Sequence, residues 1–267
     1  VKQFFRFAAG VLVAALLILF LAVDEPLAML GRNWLITPIA YLAAGFANAT
    51  AIGGGFLFVP LFIFVYGLTP LVALKLSLAT QAFGMSAGAL GWSRQFIDPT
   101  ALLVGGLASL AGVAFGTLVL VAPVELIKPA FGWSSFLIFV ALLLELRFGR
   151  GAHNQRIAQV DWRLSGYAVA TFVGGLVTAW TAIGVGEFVA IYLLFVYGIR
   201  IEVSIATGVA ILALDSILGL ALHGYLGGVP WDLLLFTAPG VLLGGYSGAK
   251  AGKYLEHRTR SSGVLRP

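Results

Sequence analysis

Three ionisable side chains, Lys75, Glu187 and Asp215, lie within long apolar runs of this chain. Such groups are costly to place in an apolar segment and point to a binding or relay site. Glu187 directly follows the glycine break Gly184-Val185-Gly186, and a matching break, Gly53-Gly54-Gly55, precedes Phe56 in the same register. A helix that starts just after a glycine break aims several unpaired N–H groups, with a partial charge of roughly +0.5, at whatever lies before it. That chemistry suits an anion. The donors would be the backbones of Gly53, Gly54, Gly55, Gly184 and Gly186, with the hydroxyls of Thr50 and Thr181 and the amide of Asn48 nearby in sequence. Ser77, Thr80 and Gln81 after the first break, and Ser204 and Thr207 after the second, could line the same site.

A carboxylate at position 187 would repel an anion unless it carried a proton, so Glu187, together with Asp215, is the candidate for proton coupling. The plainer alternative is an N-terminal carboxylate satisfied by the helix dipole. Lys75 either supplies a counter-charge to the anion or snorkels to the outer surface. Asp215 either pairs with Lys75 or faces the cavity. His223 reads as an interfacial residue, while His153 and His257 fall in polar loops. Glycines also permit close helix packing. That is the reading taken for Ala108, Gly112 and Gly116 and for Gly240, Gly244, Gly248 and Gly252, which form rows of small residues at four-residue spacing.

The two breaks belong to a duplicated unit. Thr50 to Gly55 returns as Thr181 to Gly186, and Phe64-Val65-Tyr66-Gly67 as Phe195-Val196-Tyr197-Gly198, both at an offset of 131 residues (184 − 53). With 60% hydrophobic and only 10% charged residues and a mean hydropathy of +1.02, the chain is an all-α polytopic membrane protein, since soluble domains carry about 25% charge. Apolar runs near the ~20 residues needed to span a bilayer follow one another closely, giving about eight to ten membrane segments. Cysteine is absent, which removes thiolate chemistry. HExxH, nucleophile-elbow and Walker patterns are also missing, so no enzyme and no cofactor or metal is indicated. The net charge of +5 sits in loops beside apolar runs, where it reports topology and not nucleic-acid binding.

Residues 1-33 read as an N-terminal transmembrane helix and connector, retained although Lys2 and Arg6 before Phe7 to Val23 also suit a cleaved signal. Residues 34-122 form repeat 1, and 123-163 a linking helix and basic loop. Residues 164-255 form repeat 2, and 256-267 a polar, disordered cytoplasmic tail. Phe56 to Tyr66 is too short to cross a ~30 Å core, so the glycines join half-deep helices into broken hairpins. With both termini cytoplasmic, thirteen of the sixteen basic residues fall on that side, leaving Arg32 and Lys128 outside and Lys75 in the membrane. The hairpins then open from opposite sides, so the two repeats have inverted topology. Inverted repeats with broken helices are an architecture of alternating-access transporters.

The segment from Gly45-Phe46-Ala47-Asn48 through Ile52-Gly53-Gly54-Gly55-Phe56-Leu57-Phe58-Val59-Pro60-Leu61 to Gly67-Leu68-Thr69-Pro70 resembles the sulfite exporter TauE/SafE family, as does Ile205-Ala206-Thr207-Gly208 in the second copy. The resemblance covers roughly residues 40 to 255. It implies a bacterial inner-membrane transporter of small sulfur-containing anions such as sulfite or organosulfonates. Gly184-Val185-Gly186-Glu187 is shorter in glycine than the family pattern, Ile191 stands for a proline and Gly208 for a serine, so the site is asymmetric. An anion channel and a non-transporting membrane subunit are the rival readings. The expected partners are a small anion and membrane lipid. A homodimer is compatible with the sequence, although no residue pattern specifies one.

Overall fold

A computed structural model describes residues 2–50, 53–92, 94–120, 124–148, 154, 156–157 and 161–261. Ala51 and Ile52 of the first break, most of the polar loop after Phe148, and residues 262–267 of the expected tail lie outside the described residues. Most of the described residues are helical: α1 (Lys2–Ala22), α2 (Pro26–Asn33), α3 (Ile36–Thr50), α4 (Gly55–Phe64), α5 (Pro70–Trp92), α6 (Pro99–Leu118), α7 (Val124–Phe148), α8 (Trp162–Thr181), α9 (Val185–Phe195), α10 (Ile201–Leu226) and α11 (Trp231–Ser261). α6, α8 and α10 are each long and apolar enough to cross a membrane. α5, with 23 residues and a length of about 34 Å, has the reach as well, but buries Ser77, Thr80 and Gln81. α4 and α9, at 10 and 11 residues, are the half-deep segments that their length requires.

The chain ends differ from the sequence expectation at one point. α11 continues past Glu256 to Ser261, because Leu255, Glu256 and Arg260 are good helix formers and extend a helix already nucleated in the apolar layer.

Helix directions follow from which residues meet. Lys75, near the start of α5, reaches Gly227 just after α10, and Leu78 packs beside Gly219, so α5 and α10 run antiparallel. α3 and α11 run parallel: Gly240, Gly244 and Gly248 face Thr37, Tyr41 and Gly45 in step. α6 and α8 do likewise, with Gly105, Gly112 and Gly116 facing Tyr167, Phe172 and Leu176. A Cβ on Gly244 would overlap the carbonyl oxygen of Tyr41, and one on Gly112 would overlap that of Phe172. Tyr41 and Phe172 stand 131 residues apart (172 − 41), so the two contacts are the same contact in the two copies. Close backbone approach of this kind replaces the missing hydrophobic drive between helices in lipid.

The last helix of each copy is therefore exchanged. α11 packs on α3 of the first copy, and α6 packs on α8 of the second. Two apolar cores result, one chiefly of α3, α4, α5 and α11, the other chiefly of α6, α8, α9 and α10. A smaller cluster of Val59, Leu74, Leu78, Ile127 and Ala182 joins α4 and α5 to the start of α7 and to the second break. Arg163, Arg200 and Lys253 share one face of the bundle, where Arg163 and Arg200 bond the backbone around α9 and α10 and Lys253 bonds Gly91 at the end of α5. Lys75 marks the opposite face.

Candidate functional site

The two glycine breaks meet near the middle of the bundle. The second is built by its own threonines. Thr181 Oγ1 donates to Val177 O at 2.8 Å or to Ile183 O at 2.9 Å, and Val185 N donates to Thr178 Oγ1 at 3.1 Å. Ala182 closes α8 in the left-handed region (φ 59°), and Gly184 adopts φ 133°, a conformation that L side chains rarely reach. The chain thereby reverses into α9 without an intervening loop.

Glu187 sits in the first turn of α9 and folds back over its end. Gly184 N donates to Glu187 Oε2 at 3.1 Å. The other oxygen leaves its own repeat: Gly53 N donates to Glu187 Oε1 at 2.6 Å. The carboxylate, only 5% exposed, thus joins both breaks. Bonds to an ionised acceptor are about twice as strong as neutral ones, and α4 and α9 both begin here, so their dipoles favour negative charge at this point. Gly55 lies against the Ala182 carbonyl so closely that a Cβ would overlap it.

Gln81 on α5 completes the junction. Its Nε2 donates to Ala182 O at 2.9 Å and also lies 3.2 Å from Ser77 Oγ, while its buried Oε1 has no hydrogen-bond partner among the described residues. Gly54 lies beside the Gln81 side chain and Phe58, and the Gly186 carbonyl faces Gly208 of α10. Gly53, Gly54, Gly55, Ser77, Gln81, Gly184, Gly186 and Glu187 are thus brought into one neighbourhood.

The remaining candidates lie elsewhere. Thr50 Oγ1 bonds Phe46 O within its own helix at 3.0 Å. Asn48 Nδ2 donates to Ala44 O at 2.9 Å, and Asn48 Oδ1 is buried beside Gly88 of α5. Thr80 and Thr237 share a hydrogen bond of 3.0 Å between α5 and α11. Thr207 accepts from Asp98 N at 3.0 Å near the basic face. Lys75 Nζ donates to Gly227 O at 2.8 Å on the opposite face and does not pair with Asp215. Asp215 Oδ1 instead accepts from Ser109 Oγ of α6 at 2.8 Å, with its other oxygen buried. His223 is buried near the end of α10, one turn before Gly227.

Ser109 and Asp98 were not among the candidates. Ser109 matches Val241 in the repeat register, as Asp215 matches Gly84, and Val241 packs on Gly84. An apolar contact in one half is thus a polar contact in the other. No group of three or more potential metal ligands occurs among the described residues.

The model of the family Sulfite exporter TauE/SafE matches residues 36–263. A protein of Bacillus subtilis (strain 168), named "Probable membrane transporter protein YjnA", is 27% identical over 220 residues, covering 74% of this chain and 83% of that protein. No solved structure matches the chain. A helical, multi-pass chain matched over nearly its whole length in this way is a membrane transporter and not an enzyme, and it belongs to the sulfite exporter TauE/SafE family.

Proposed function

We propose that this protein moves a small sulfur-containing anion, sulfite or an organosulfonate, across the bacterial inner membrane by alternating access, with the anion taking the place that the Glu187 carboxylate holds between the two breaks. The observation that carries the reading is the pair of bonds from Gly53 N and Gly184 N to one carboxylate: donors from both repeats converge on a single oxyanion. A sulfite or sulfonate group offers the same kind of acceptor oxygens. The family description supports the choice of sulfur anion.

Glu187 then serves as a stand-in anion. While ionised, it bridges the repeats and keeps the junction closed. When protonated, it gives up Gly53 N to the substrate, and the junction can part. Neutralisation also removes the repulsion between two negative groups in a low-dielectric site. Export of a monoanion from a negative-inside cell is favoured by ~2.3 kcal/mol per 100 mV and can run uncoupled, whereas uptake needs at least one proton to cancel the charge. With the basic face cytoplasmic, both termini would lie inside.

The test is thermal stabilisation of the purified protein by sulfite, sulfate, thiosulfate, sulfoacetate and taurine. A ligand at 100 times its Kd stabilises by about 2.7 kcal/mol. Sulfite or a sulfonate should raise the melting temperature, and Gly55→Val, whose side chain would collide with the Ala182 carbonyl, should abolish that shift and transport in vesicles. No shift with any anion, or an unchanged shift in Gly55→Val, would refute the assignment.

A further inference from the structure

The N-terminal half of α1 leaves a crevice of about 700 Å³ between itself, α5, α6 and α10, while Leu19 near its other end is buried in the first core. Its walls are apolar, among them Phe7 and Val11 of α1, Ala89 of α5, Leu102 of α6, and Ala213 and Ile217 of α10. One charged side chain lines it, Arg156. The same arginine lines a polar cavity of about 330 Å³ with Gln95 and Arg200, so Arg156 stands between the two spaces. Asp98 fixes this arrangement: its Oδ1 caps α6 through Ala101 N at 2.7 Å, and its Oδ2 accepts from Ile157 N at 2.9 Å, anchoring the residue next to Arg156. Arg156 makes no ion pair among the described residues, and Arg200, which pairs with Glu202, keeps a buried Nε–H without an acceptor.

An apolar slot with an exposed, unpaired guanidinium at one end, and a buried Arg200 Nε–H without an acceptor beside it, is complementary to an anionic amphiphile. From Ala210 to Ile217 the slot follows α10 for about 10 Å, roughly two-thirds of one leaflet of a ~30 Å hydrocarbon core. Its mouth lies on the basic face. We infer that this crevice holds an anionic phospholipid from the leaflet on that face, with an acyl chain between α1 and α10 and the phosphate at Arg156 and Arg200. Basic pockets between membrane helices on the positive side select such headgroups. A free phosphate would have no use for the apolar slot, and a zwitterionic lipid would bring a cation to a site that already carries one.

The inference is tested on the delipidated full chain in mild detergent. It is titrated with phosphatidylglycerol or phosphatidylcholine of identical acyl chains, and retained lipid is counted by native mass spectrometry. Phosphatidylglycerol should be retained about fivefold or more over phosphatidylcholine, the factor expected of one basic side chain near an anionic surface. Arg156→Gln should erase that preference while leaving phosphatidylcholine retention unchanged, and Arg156→Lys should keep most of it. Ala213→Trp, which fills the slot, should lower retention of both lipids. Equal retention of the two lipids by the unaltered chain, or a preference that survives Arg156→Gln, overturns the inference. Glycerol phosphate binding as tightly as the whole lipid overturns it too, by making the site one for a soluble phosphate. If Ala213→Trp fails to fold, the two Arg156 variants still decide.

Discussion

Replacing Glu187 by glutamine changes one oxygen for one NH₂ group at the point where the two repeats touch. The carboxylate accepts two backbone N–H groups, from Gly53 at 2.6 Å and Gly184 at 3.1 Å. Glutamine has a single acceptor oxygen and would turn its own donors toward one of those N–H groups, so at least one bond is lost. A hydrogen bond to a charged group contributes about 1.5–3 kcal/mol. On the proposed reading an incoming anion displaces the carboxylate from Gly53 N, so removing that competitor should tighten anion binding by about tenfold to a hundredfold. The pH dependence should change with it. If, as proposed, each bound anion requires a proton on Glu187, Kd in the unaltered chain should fall by up to about tenfold for each unit that pH is lowered through the titration of that group. In Glu187→Gln the profile should be flat. Anion titrations of melting temperature between about pH 5 and 8 would read both effects. Equal affinities with parallel pH profiles would refute the view that Glu187 competes with the substrate. Weaker binding in the variant would show that the carboxylate assists the anion instead.

Two further predictions rest on the correspondence between the copies. Ser109→Val should strand Asp215 without its hydrogen bond and destabilise the protein by about 1–3 kcal/mol; adding Asp215→Gly reproduces the Val241–Gly84 contact of the other half and should recover most of that loss, which a double-mutant cycle of melting temperatures will measure. Gly112→Leu and Gly244→Leu should each separate a parallel helix pair at an equivalent contact and lower the melting temperature by similar amounts. A loss confined to one of the two would mean that the halves are not held together in the same way.

Much of this architecture is legible in the sequence, for a physical reason. Glycine breaks, rows of small residues and apolar run lengths are backbone properties, and they survive without knowledge of any neighbour. The offset of 131 residues exposed the duplication directly. Side-chain destinations were harder to read. Thr50 and Thr181 flank the breaks, and each hydroxyl lies within reach of the carbonyl four residues earlier, a bond that an apolar helix offers within itself. The reach of Glu187 to Gly53 spans 134 residues and depends on how the two hairpins face each other, which no local pattern encodes. The pairing of Asp215 with Ser109 likewise depends on α6 meeting α10, which the sequence register does not specify.

The exchange of outer helices has a consequence for how the chain is made. α3 leaves the ribosome with its small-residue face ready, but the surface that covers that face belongs to α11, and the bond between Thr37 and Phe236 joins residues 199 positions apart. During most of synthesis that face must rest against lipid or a temporary companion, and the first copy cannot finish until the last helix arrives. A chain with only one copy could satisfy the same surfaces solely by clasping a second molecule inserted upside down. Translation order, and not only the final set of contacts, therefore decides when this bundle first becomes a closed object.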